Sequence, residues 1–242
     1  MHPVLTLHED ICGGAADEIA LPAAPRMIFV VHGALAIGER TLTDGEAWHG
    51  EGAVTLRPGE TGVTLWRWEL AAAGGGGGDL RSGRGLRATG DMRIRRGLRS
   101  TTDANDAVIT SREKLAAVLD TLPAGELLMR GDSVAFPPGG CAYLHRHQGP
   151  GIRCLIEGGI RIDTHGSSTS YGPGGAWYES GPEPVFAQAA ADRPSRFIRV
   201  MILPRALAGK SSLTFVNAAD KEKPRVQQYK IFVDAPIARP GG

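Results

Sequence analysis

The stretch GGCAYLHRHQGPGIRCLIEGG, residues 139–159, sets two histidines one residue apart in a run with the composition of a β-strand. Alternate side chains of an extended strand share a face, so Cys141, Tyr143, His145 and His147 are expected on one side of it. Imidazoles at i and i+2 can take adjacent positions around one divalent ion, and neutral imidazole suits iron, zinc, copper or nickel. The same spacing also suits two unliganded polar side chains at the mouth of a sheet. Three cysteines, Cys12, Cys141 and Cys154, show no CxxC spacing, which argues against a thiolate zinc site and against a disulfide framework. His32, His49 and His165 each sit at a turn or strand edge with no second histidine at ligand spacing.

The elements that must position the pair are strands. The chain has 34 glycines and 16 prolines in 242 residues and almost no long amphipathic helical pattern, which favours short strands joined by tight turns. One helix is expected: Thr110 and Glu113 have capping-box spacing, and Leu115, Val118, Leu119 and Leu122 recur at helical intervals before Pro123. A net charge of +1 and 42% hydrophobic residues describe an ordinary globular protein with one large core or two small ones. No stretch reaches the roughly 20 apolar residues that span a bilayer. The start, MHPVLTLHEDICGG, has acids where a secretory signal would be positive, so a cytoplasmic location is expected, with no membrane partner.

Residues 71–100 carry a glycine run and then seven arginines against two acids. Such a cluster could attract phosphate, but the chain as a whole is not basic and no aromatic residues interleave for base stacking. A solvated linker is the reading adopted, with no nucleic-acid partner. The flanking halves echo each other: residues 30–70 can be laid beside 155–203, with Gly45 to Trp48 matching Gly174 to Trp177. Two copies of one supersecondary plan made of short strands suggest two small barrels or sandwiches.

With those residues in place, the chain resembles the cupin family. The family's first motif, G-x5-H-x-H-x3/4-E-x6-G, is matched by Gly139, His145, His147 and Gly158. Its second, G-x5-P-x-G-x2-H-x3-N, is matched only by Gly174, with Ser180, Pro182, Val185 and Ala189 at the remaining positions. The resemblance implies an all-β fold, a bicupin of two double-stranded β-helix barrels with a short helix between them. The expected organisation is a degenerate N-terminal barrel over 1–72, a linker over 73–105, a metal-binding barrel over 106–204, and a tail over 205–242 that adds a strand.

Two family ligand positions are lost, because Gly151 stands where the glutamate belongs and Val185 where the third histidine belongs. Glu179 is the candidate replacement, with Glu183 and Gln188 as alternatives. Two histidines and one carboxylate form a facial set with open positions. A solvent-facing acid at a strand end is the other reading of Glu179. If the family's alternation holds, Arg153 faces the interior, where it wants either a substrate carboxylate or an internal acid. Tyr143 is a second candidate substrate contact.

The resemblance thus implies a mononuclear metal enzyme, dioxygenase-like or a lyase, acting on a small organic acid or carbonyl compound. The expected cofactor is a divalent first-row ion, Fe(II) first, with manganese, zinc or nickel as alternatives. A non-catalytic small-ligand or metal-binding sensor is the competing reading, and a pure scaffold a third. An edge strand from the tail could pair two chains in a homodimer.

Overall fold

Short apolar–polar alternations punctuated by glycine and proline produce strands almost throughout the computed structural model, which describes residues 2–14, 18–72, 93–94 and 109–240. Residues 1–116 form one compact unit and 117–240 a second. The 73–105 segment expected as a linker lies outside the described residues, except for the backbone of residues 93–94.

The first unit holds β1 (Val4–Cys12), β2 (Ile19–Leu21), β3 (Arg26–Ile37), β4 (Arg40–Leu42), β5 (Ala47–Gly50), β6 (Val54–Ala71) and β7 (Arg93–Ile94). With β8 (Ile109–Val118), which ends just past the unit boundary, they make one eight-stranded sheet in the order β4-β3-β6-β1-β8, with β5 beside β3 and β2 between β6 and β7. Register shifts between Val30 and His32 and between Gly33 and Leu35 kink β3 where it pairs with β6. Gly33 adopts φ +94° there, and a Cβ on it would stand 2.2 Å from the Gly62 carbonyl oxygen. Leu35, Leu56 and Leu65 pack with Ile28 and Val30 in this unit's core.

The helix suggested by the capping-box spacing at Thr110 is not formed, and β8 takes its place. Helix propensity amounts to tenths of a kcal/mol per residue, whereas the edge of β1 offers a full hydrogen-bonding ladder and charged partners. Ser111 donates to Asp10 Oδ1 (2.5 Å), and Arg112 and Lys114, two apart and so on one strand face, both reach Glu9, at 2.8 and 3.3 Å.

The second unit is a sandwich of two five-stranded sheets. Its strands are β9 (Leu127–Phe136), β10 (Cys141–His147), β11 (Gly151–Glu157), β12 (Ile160–Thr164), β13 (Ser167–Tyr171), β14 (Ala176–Glu179), β15 (Val185–Ala189), β16 (Ser195–Pro204), β17 (Leu213–Phe215) and β18 (Gln228–Ile237). One sheet runs β13-β12-β15-β10-β17 and the other β14-β11-β16-β9-β18. Phe136, Leu155, Ile162, Trp177, Val185 and Phe197 fill the space between them. The last two strands come from the tail: β17 lies beside β10 and β18 beside β9, each outermost in its sheet.

Candidate functional site

The histidine pair rides on β10, which is bulged. Ala142 faces Ala187 on β15 and His145 faces Val185, so one extra residue is accommodated on β10. The bulge resets the alternation: Ala142, not Tyr143, shares the inward face with His145 and His147. The expectation that Cys141 and Tyr143 join the histidines is corrected by that single residue. Tyr143 lies outside the chamber, with the Lys223 ammonium 4.5 Å above its ring, on the wall of a neighbouring cavity.

Across the sandwich the opposing sheet presents charge. Trp177, Arg153, Arg199 and Asp132 stand side by side on β14, β11, β16 and β9, and Glu179 pairs with Gly151 one rung along. Directly paired residues of antiparallel strands project to the same face. Together with His145 and His147, the side chains of Trp177, Arg153, Arg199 and Glu179 line a chamber of about 20 Å³, enough for a water or an ion but not for an organic molecule.

Hydrogen bonds fix the state of both imidazoles. His145 Nδ1 is 2.8 Å from the Tyr143 carbonyl, which only accepts, so Nδ1 carries the proton and Nε2 the lone pair. His147 Nε2 is 3.4 Å from Arg199 Nη1, which only donates, so Nε2 accepts again and Nδ1–H donates to Ser212 Oγ at 3.2 Å. Burial lowers the proton affinity of His145, Glu179 opposing. His147 falls well below the ordinary histidine value through burial, and Arg199 and Arg153 push it further. Both rings are therefore neutral near pH 7.

The ring centres stand 4.9 Å apart with planes at 84°. Two imidazoles bound to one ion at about 2.0–2.1 Å would have centres about 4.5–5.2 Å apart, so the pair fits a shared ion. The third expected donor does not fit as it stands. Glu179 is buried; its Oε1 accepts from Trp177 Nε1 at 2.9 Å, and its Oε2 lies 2.7 Å from Arg153 Nη2 and 3.8 Å from His147 Nε2. Its carboxylate is committed to a guanidinium. Among the described residues, no three His, Cys, Asp or Glu side chains are arranged to hold a metal.

Arg153 is 1% exposed. Its Nη1 donates to the Gly151 carbonyl at 2.7 Å, while Nη2 approaches Glu179 closely without a directed hydrogen bond. Burial lowers its pKa to about 10, Glu179 acting in the opposite direction, so it remains charged. Of the two partners foreseen for Arg153, the structure supplies the internal acid. Gly151 leaves no room for a side chain: a Cβ on it would sit 2.3 Å from the Val200 carbonyl oxygen and 2.9 Å from Met201 Cγ. Glu179 reaches the same space from one strand over. Glu183 and Gln188 do not line the chamber; Glu183 stands 3.9 Å from His165 at the surface and Gln188 accepts from Arg161 at 3.3 Å.

Arg199, Asp132, Trp177 and Ser212 are site residues that the motif spacing misses. Arg199 is held by Asp132 through Nε at 2.6 Å and Nη2 at 3.0 Å. The available signal is the apolar run from Phe197 to Leu203, buried on both faces: the one cation inside it, Arg199, must be buried too and so needs an anion. In the first unit the position matching Glu179 is Gly50, where a Cβ would stand 2.3 Å from the Trp48 ring. There an indole closes the space.

Comparison with solved structures settles the architecture. Oxalate decarboxylase of Bacillus subtilis superposes with a TM-score of 0.55 at 12% identity, covering 90% of this chain and 73% of its own. The fold is that of a bicupin. AerE from Microcystis aeruginosa aligns with a TM-score of 0.50 at 13% identity, over 84% of this chain and 89% of its own. At such identity the likeness establishes the bicupin fold and leaves the chemistry to the residues. No family model matches the sequence, and no curated protein matches it by sequence.

Proposed function

We propose that the C-terminal barrel of this bicupin binds one divalent first-row metal ion at His145 and His147 and that the protein is a mononuclear metal enzyme acting on a small organic acid or carbonyl compound. One observation carries the reading: two neutral imidazoles, each tied at Nδ1 with its lone pair at Nε2, share a buried chamber with centres 4.9 Å apart, His147 Nε2 facing Arg199 Nη1. Hydrogen bonds at the far nitrogen are the usual way a protein orients a ligating histidine. The oxalate decarboxylase of this fold is described with Mn(II) centres, which favours manganese beside the iron expected from the facial ligand set.

Bound there, the ion would supply Lewis acidity toward a carboxylate or carbonyl oxygen. The chain's own residues set the rest. Asp132 and Ser212 hold Arg199 and His147 in place, and Trp177 and Arg153 hold Glu179 as a reserve anion beside the pair. Glu179 would complete the donor set only if it left Arg153. The two guanidinium groups supply positive charge for an anionic substrate at the chamber's edge.

The test is metal analysis after chelator treatment and reloading with Mn(II), Fe(II), Zn(II) or Ni(II). One ion per chain in the wild type, lost in both His145→Ala and His147→Ala, is the expected result; no stoichiometric ion, or no loss in the variants, overturns it. Arg199 facing His147 Nε2 favours a second reading, a sensor that binds without turnover. Oxygen uptake by the iron-loaded protein over small carboxylates, diketones and thiols separates that sensor from an oxygenase.

A further inference from the structure

Beside the histidine chamber, and separated from it by Arg199, Leu213 and Tyr229, lies a second cavity of about 280 Å³. Its outer wall is built by residues of the tail between 209 and 231, the part of the chain that the sequence motifs leave without a role. We infer that this cavity is a binding site for a small aromatic carboxylate.

Charge supports an anion. The cavity is lined by Arg130, Arg199, Lys210 and Arg225 against a single acid, Asp132. Arg130 is spent on structure: it pairs with Asp234 at 2.8 and 3.0 Å and donates to the carbonyls of Lys210 and Leu207, at 2.6 and 2.8 Å. Those bonds pin the 207–210 loop, and Gly209 N–H adds a bond to Asp234 at 2.7 Å. Arg199 takes Asp132. Lys210 and Arg225 are left with no carboxylate within ion-pair reach among the described residues, although both face a concave surface where their fields add.

Shape and surface chemistry support a flat ring. Phe215 lies under the Arg225 guanidinium at 5.1 Å and Tyr229 under that of Arg199 at 5.8 Å, so two aromatic walls are already paired with cations. Burial raises the Tyr229 pKa, with Arg199 opposing, and keeps its hydroxyl a donor. Tyr229 and Ile231 are nonetheless 50% and 51% exposed, two large apolar side chains adjoining the same cavity without cover. An aromatic ring between Phe215 and Tyr229 would cover them, and a carboxylate on that ring would meet Lys210 and Arg225. The volume suits a one- or two-ring acid.

This inference names a ligand class but does not rest on the metal reading, because none of the residues invoked is a proposed metal donor. The experiment is isothermal titration of the full chain with 2-naphthoate and with its neutral counterpart 2-naphthamide. Wild type and the Lys210→Gln/Arg225→Gln double variant are compared, each also after chelator treatment. Expected are saturable one-to-one binding of the acid, binding of the amide weaker by about tenfold or more, a similar weakening in the double variant, and no change on chelation. Both substituted side chains are exposed, and an unchanged circular dichroism spectrum confirms the fold. Absence of saturable binding, equal affinity for acid and amide, or an unaltered double variant overturns the site. Loss of binding on chelation alone also overturns it, by placing the anion on the metal, and leaves the metal reading standing.

Discussion

Glu179→Gln isolates the buried ion pair at the centre of the chamber. The substitution keeps the oxygen that accepts from Trp177 and removes only the charge that faces Arg153. With charge centres about 4 Å apart and an effective dielectric of about 20, the attraction is about 4 kcal/mol. Removing one partner of a buried pair costs about 3–5 kcal/mol, because the survivor keeps its desolvation penalty. Among the described residues Glu179 is the one acid within ion-pair distance of Arg153, Asp132 acting on it only from further off, so Glu179→Gln should cost about 3 kcal/mol. Arg153→Met, which leaves the carboxylate with the Trp177 N–H, should cost somewhat less. The double variant buries no unpaired charge, and its cost should fall below the sum of the two singles by about 2–4 kcal/mol. Urea unfolding of chelator-treated protein, followed by circular dichroism with matched m-values, measures all three. A coupling below about 0.5 kcal/mol, the scatter of additivity between independent sites, would refute the assignment of Glu179 as the counter-ion of Arg153.

The same pair governs metal binding: Arg153→Met releases Glu179 and removes a buried cation, so Mn(II) or Zn(II) affinity by isothermal titration should rise about tenfold or more, and an unchanged affinity would exclude Glu179 as a donor. Gly151→Ala, whose Cβ meets the Val200 carbonyl at 2.3 Å, should lower stability by about 1–3 kcal/mol, read as a lower urea midpoint. The pH dependence follows from the histidines. Their folded-state pKa values lie below that of the unfolded chain, so the stabilisation is fully present above about pH 6.5 and is lost as the unfolded chain takes up protons that the folded one refuses. As the pH falls below about 6.5, chelator-treated protein should lose stability with a slope of at most about 1.4 kcal/mol per pH unit per histidine, His147, the more strongly depressed, giving the larger share, and His147→Gln should remove that share.

The histidine pair and the glycines around it were legible because they depend on local spacing, Gly139, His145, His147 and Gly158 lying within twenty residues on or beside two consecutive strands, and the bicupin plan because residues 155–203 repeat the pattern of 30–70. What escaped depends on distant pairing. Strict alternation puts Tyr143 on the histidines' face, since it carries no trace of a bulge that exists only opposite Ala187 and Val185. The segment from Thr110 has a helix start and helical periodicity, but its fate was set by the free edge of β1, a hundred residues upstream. Arg199 and Asp132 are sixty-seven residues apart and meet only because β16 lies against β9. The sequence leaves the anion for Arg153 open for the same reason, since Glu179 reaches it through a cross-strand register that spacing cannot state.

The rung shared by Gly151 and Glu179 has a wider consequence. Two residues facing each other across a ladder are interchangeable in space while remaining far apart in the chain, so an acidic group can migrate from one to the other without its oxygen atoms travelling far. Patterns written along a single strand fall silent after such a transfer, although a carboxylate still lines the cavity. Barrels of this kind are better compared by adding up what each pair of facing positions contributes than by reading one column at a time.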